Sequence, residues 1–281
     1  MTSKDDTGLG NLCEKVKALI PEELGEDSWY LLVAAILAQS TQPQLLATLY
    51  QHLSTNREAN LQISLRFRDI LLKQVTLVGA PQVLCALIPL AKVDCVDYGH
   101  DDPASATKAS KLSPEWTDFT VSGIHARGTG TIESIYGPLL PKIFDSFGAH
   151  SKDIEFMEKF TVYGLYLSDF THLSALETEL VVFTTIMCLG FKGPATWHMR
   201  GMGRLMGARG TDETTKVMTR IKDNLRNIKV AAMEVVEWLG PEMVSRSSLE
   251  ADPSDSSGRG WPNVGDVVRN LSSWGDDELP R

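Results

Sequence analysis

Residues 188–203 read CLGFKGPATWHMRGMG, which sets a histidine, a tryptophan, an arginine and four glycines in what otherwise reads as a helix-turn-helix. His198 is a candidate general acid or base, because an imidazole titrates near neutrality. Arg200 is a candidate clamp for a substrate carboxylate, and Glu179 a candidate to orient the imidazole. Trp197, Tyr163 in TVYGLYL and Arg127 in ARG are candidate pocket residues. Two residues apart on one helix, His198 and Arg200 point about 160° from each other at 3.6 residues per turn, so they do not share one pocket. Structural readings carry equal weight. A helical histidine beside a tryptophan is often an interface residue, a glutamate early in a helix complements its positive end, and glycines let helices approach closely.

The elements that position these groups are helices. Apolar residues recur at helical spacing in SWYLLVAAILAQS, PQLLATLYQHL, RFRDILLKQVTLVG and APQVLCALIPLA, and again in GTIESIYGPLLPKIFDSFG, DIEFMEKFTVYGLYL, LETELVVFTTIMCLG and the long stretch TDETTKVMTRIKDNLRNIKVAAMEVVEWLG. Nothing alternates as a strand, so the fold class is all-α. Thr211 is a candidate N-cap for the last helix, and Gly240-Pro241 its stop. With Gly190 to Pro194 as the turn before His198, antiparallel helices offset Glu179 from His198 by roughly 10 Å along the axis. A direct hydrogen bond then requires crossed packing; a bridging water or a second chain serves equally.

The chain divides by composition into helical residues 1–96, a polar linker at 97–122, a second helical unit at 123–244 and a polar tail at 245–281. Trp261, Val264, Val267, Val268, Leu271 and Trp274 give the tail a short apolar face. An intramolecular clasp is the favoured reading of it, because exposed tryptophans are costly. A net charge of -9 disfavours a nucleic-acid partner. Cys13, Cys85, Cys95 and Cys188 lack zinc-site or CxxC spacing and read as reduced thiols. The amino terminus MTSKDDTGLG carries no signal-peptide or presequence pattern, and no apolar stretch reaches membrane-spanning length, so a cytoplasmic location is expected.

From Ala126 onward the chain resembles the carboxymuconolactone decarboxylase family, whose fold it shares with alkylhydroperoxidase D. The resemblance rests on ARGTGTIESIYGP at 126–138, FTVYGLYLSDFTHLSALETELV at 160–181 and WHMRGMGRLMG at 197–207, in family order and spacing. LLVAAILAQSTQPQLLATLYQHL at 31–53 and DILLKQVTLVGAPQVLCALIPLA at 69–91 resemble the family more faintly, with Trp29 and Thr48 at the glutamate and histidine positions. The resemblance implies an alkylhydroperoxidase D-like helical array of two tandem, quasi-equivalent units, the first degenerate. It also implies a cofactor-free, metal-free proton-transfer enzyme of decarboxylase or lyase type. His198 and Glu179 would be its catalytic residues, Arg200, Arg127, Tyr163 and Trp197 its substrate-binding residues, and a small unsaturated carboxylate or lactone its substrate. Homo-oligomers are common in the family. In the alkylhydroperoxidase branch two cysteines lie between the glutamate and the histidine; here those positions hold Phe191 and Pro194, which removes thiol peroxidase chemistry. The alternative is a non-catalytic member that keeps the scaffold for assembly or partner binding, and thiol redox chemistry at Cys188 ranks last.

Overall fold

The computed structural model describes residues 6–94, 119–208, 214–240 and 261–262. All regular structure among them is helical, as the apolar periodicity requires. At the centre lie α2 (Ser28–Gln39), numbered after α1 (Asp6–Leu19), and α9 (Ala175–Cys188). Both are apolar on nearly every face, which suits a helix surrounded by others. In α2 the residues Tyr30 through Ala38 are all buried, and in α9 so are Thr178 through Cys188.

Each central helix opens a helix-turn-helix, α2 with α3 (Leu45–Leu53) and α9 with α10 (Lys192–Gly203). The first members pack on each other, α4 (Arg57–Val78) lies across both, and α5 (Ala80–Asp94) packs on α3 and α4. In the second half α6 (Val121–Tyr136) packs on α10. It packs most closely on the wide-turned π-helix Met157–Leu167, which continues α8 (Ser151–Phe156) after the short α7 (Leu140–Asp145). The last helix among the described residues, α11 (Lys216–Leu239), buries Met218, Ile221, Leu225, Ile228, Ala232, Val235 and Leu239 at helical spacing and packs on α1. One hydrophobic core therefore runs through both halves.

Local signals set several boundaries. Ser174 and Glu177 form a capping box on α9, so Glu177 is engaged by its own helix start. The cap of α11 is Thr215, whose side chain accepts from Met218 N–H, and Gly240 at φ 100° ends that helix. Thr211, the expected cap, lies outside the described residues, as do 97–118 of the expected linker. Of the tail, Trp261 and Pro262 are described: Trp261 is buried at 4% exposure, and Lys229 Nζ donates to the Pro262 carbonyl at 2.9 Å. The tail's first tryptophan is thus held by its own chain.

Polar groups tie α4 into this core. Lys73 Nζ donates to Asp69 Oδ1 and to the Asp169 carbonyl, each at 2.7 Å, and both members of the ion pair are fully buried. Gln74 Nε2 donates to Ala35 O at 2.8 Å and to Thr185 Oγ1 at 2.9 Å, joining α2 to α9. Removing one partner of a buried pair leaves the other charge uncompensated. Asp69→Asn is therefore expected to lower stability by about 3–5 kcal/mol, and Asp69→Leu with Lys73→Met to recover part of the loss, as urea midpoints will report.

Candidate active site

The site begins on α9. Glu179 lies two residues past the capping box and is 1% exposed, while His198 on α10 is 4% exposed. Glu179 Oε1 and His198 Nδ1 are 2.7 Å apart, in direct contact. The axial offset expected from sequence is too large because the turn is shorter than reckoned. α9 runs to Cys188 and α10 already begins at Lys192, so the two residues differ by three positions from the turn, about 4.5 Å at 1.5 Å per residue. Gly201 makes room for the contact: a Cβ there would lie 2.7 Å from Glu179 Oε1 and 2.6 Å from Ile135 Cγ2.

The other ring nitrogen meets α6. Tyr136, in the last turn of that helix, places its hydroxyl 3.0 Å from His198 Nε2, with the two rings edge to face. Tyr163, from the π-helix, donates its hydroxyl to the Tyr136 oxygen at 3.3 Å. Because Tyr136 accepts from Tyr163, its own proton is directed at Nε2, which leaves Nδ1 of His198 to donate to Glu179. The four side chains form one relay: Tyr163 to Tyr136 to His198 to Glu179. Burial pushes both phenols well above the ordinary tyrosine value of 10, so they are protonated donors at neutral pH.

A second carboxyl lies near enough to act electrostatically on the same groups. Glu158, on the π-helix with Tyr163, is half-buried, and burial raises its carboxyl above the ordinary 4.5, with the nearby His198 ring opposing part of that shift. Raised in the folded state, it binds its proton more tightly there than in the unfolded chain, so it stabilises the fold less as pH climbs above the ordinary carboxyl range. Glu158→Gln is accordingly expected to raise the melting temperature at pH 7 relative to wild type. The gain should vanish below about pH 4, where both states are protonated, as thermal melts across pH will show.

Of the residues singled out from sequence, the relay gathers Glu179, His198 and Tyr163, and Trp197 lies edge to face against Tyr136 at 6.4 Å between ring centres. Arg127 is turned to the backbone, donating to the carbonyls of Gly164 and Leu165, and its guanidinium lies 4.4 Å from the centre of the Phe119 ring. Arg200 is 6% exposed, and burial together with the neighbouring charge of Arg204 lowers its pKa to about 9. Arg204 in turn donates to Ile135 O at 2.8 Å, at the relay-bearing end of α6. Cys188 is 2% exposed and burial raises its thiol far above the range of a reactive thiolate. Among the described residues no group of three or more His, Cys, Asp or Glu side chains could hold a metal ion.

Sequence reasoning missed Tyr136 and Glu158 as members of the site. Tyr136 precedes Gly137 in the IYG of the first resembling segment, but 62 residues separate it from His198 and no spacing rule joins them. On the first half of the chain, a surface cleft of about 380 Å³ opens beside Trp29, with Lys17, Glu22 and Glu26 on its walls. No helix among the described residues is long and apolar enough to cross a membrane. No protein-family model, curated protein or solved structure matches this chain.

Proposed function

We propose that the chain is a cofactor-free proton-transfer enzyme of decarboxylase or lyase type, similar to the carboxymuconolactone decarboxylases and acting on a small unsaturated carboxylate or lactone. The observation that carries this reading is the buried Tyr163–Tyr136–His198–Glu179 relay. With the proton on His198 Nδ1 the relay takes up a proton: one entering at the tyrosine end passes to His198 Nε2, and the imidazolium formed is paired with the Glu179 carboxylate. In reverse, the same relay returns that proton to the enolate-like carbanion left when a carbon–carboxylate bond breaks and carbon dioxide departs. Both half-reactions balance without an external oxidant or reductant.

A second reading, a non-catalytic scaffold, is favoured by one observation. Both ring nitrogens of His198 are occupied by groups of its own chain, and its side chain is only 6% exposed. A thermal-shift panel of unsaturated carboxylates and lactones, followed by an assay for carbon dioxide release on each compound that binds, separates the two. Turnover that disappears in Tyr136→Phe supports the relay. Binding without turnover in any member of the panel supports the scaffold.

A further inference from the structure

The π-helix Met157–Leu167 is the least ordinary element of the fold, because π-turns normally occur singly and cluster at functional sites. Its wide register is visible at its end, where Ser168 N–H donates to Tyr163 O, five residues back, at 3.0 Å. Something must hold so rare a register against relaxation to an α-helix, and α6 supplies it. A Cβ at Gly128 would stand 2.0 Å from Lys159 O and 2.7 Å from Gly164 N, so this glycine lies directly on the π-turn that spans residues 159 and 164. From the other side, a Cβ at Gly164 would stand 2.7 Å from Ile124 Cγ2 and 3.0 Å from Ile124 O. The two backbones are in contact.

Arg127, next to Gly128, completes the junction. Its Nε donates to Gly164 O at 2.9 Å, its Nη2 bonds the same oxygen, and Nη2 reaches Leu165 O at 3.3 Å. Those carbonyls lie in the last turn of the π-helix, where acceptors lack donors within the helix. The Ser168 hydroxyl returns a bond to the Arg127 carbonyl at 3.4 Å. The residue next to the clamped Gly164 carbonyl is Tyr163, the outer donor of the relay.

We infer that Arg127 is a positioning residue for the relay: with the Gly128–Gly164 contact it locks the π register that aims the Tyr163 hydroxyl at Tyr136. Loss of one residue from this register rotates the following side chains by about 100° and takes Tyr163 away from its acceptor. This assigns to Arg127 a task through the backbone in place of the substrate contact expected from sequence. It deepens the relay reading and rests on it for the relay's purpose, while its geometry stands by itself.

The test is a double-mutant comparison in the full chain carrying tyrosine labelled with carbon-13 at Cζ, a position whose shift reports hydrogen bonding of the hydroxyl. Tyr163→Phe defines the shift of the Tyr136 signal when its donor is lost. Arg127→Ala is expected to move the Tyr136 signal in the same direction by at least half as much, with unchanged helix content, and the double variant to add nothing to Tyr163→Phe. Arg127→Lys, which keeps the charge but not the fork, should restore part of the wild-type position. It carries the same comparison if the alanine variant does not fold. A Tyr136 signal unmoved by either arginine variant, or an effect that adds in full to that of Tyr163→Phe, overturns the inference. The readout needs no turnover, so an intact clamp in a chain inactive on every carboxylate and lactone tells against the proposed function alone, and a failed clamp leaves that function standing.

Discussion

His198→Ala is expected to lower stability by about 3–5 kcal/mol and to abolish any turnover the wild-type chain shows on unsaturated carboxylates or lactones. The stability loss follows from what remains. Glu179 is 1% exposed and its Oε1 accepts from His198 Nδ1 at 2.7 Å, so the substitution strands a carboxylate in the core and opens a cavity beside Tyr136. The activity loss follows from the relay, because both tyrosine hydroxyls then lead nowhere. Removing a positioned acid or base commonly lowers rate by about two to four orders of magnitude. Urea midpoints and carbon dioxide release measure the two effects separately. Tyr136→Phe distinguishes them, since it leaves the Glu179–His198 contact in place while cutting the relay at its middle. A large rate effect with a small stability effect in that variant is the result expected of a catalytic relay, whereas a scaffold shows no turnover in either chain and only the stability effect.

Gly128→Ala is expected to be strongly destabilising, with the closest added-Cβ contact among the described glycines compared. The new Cβ would stand 2.0 Å from Lys159 O and 2.7 Å from Gly164 N, and both obstacles are backbone, so no change of rotamer relieves the clash. Either α6 or the π-helix must move. The expected loss is at least about 3 kcal/mol, the upper end for overpacked sites. Gly130, on the same helix, is the control: nothing lies within 4 Å of a Cβ built there. Gly130→Ala is expected to stabilise by about 0.5–1 kcal/mol through helix propensity alone. Opposite signs at two glycines of one helix, read from urea midpoints, tie the effect of Gly128 to the crossing and not to helix formation.

How far the candidate site was legible in the sequence differs among its members. Glu179 and His198 stand out by residue type, and they are in contact. Their axial offset is overestimated from sequence because the sequence marks a turn by Gly190, Gly193 and Pro194, whereas α10 begins at Lys192 and takes Gly193 and Pro194 into its first turn, where proline is tolerated. Tyr163 was visible as an aromatic residue on a helix, a type more often found in cores, and it is both: 1% exposed and hydrogen-bonded within the relay.

By itself the sequence determined that the chain is helical, because its apolar residues repeat at helical spacing and the period of a helix is a local property. For the tail it favoured an intramolecular clasp over a partner-binding peptide, because exposed tryptophans are costly, and the structure buries Trp261. Only the tertiary structure decided that Tyr136 reaches His198, that Glu158 comes within electrostatic range of it, and that Arg127 grips the carbonyls of Gly164 and Leu165. Each of these depends on how α6 crosses the π-helix and α10. That crossing is set by backbone contact at Gly128 and Gly164, two glycines whose closeness appears in no periodicity, because it is a distance between segments 36 residues apart and not a pattern within either one.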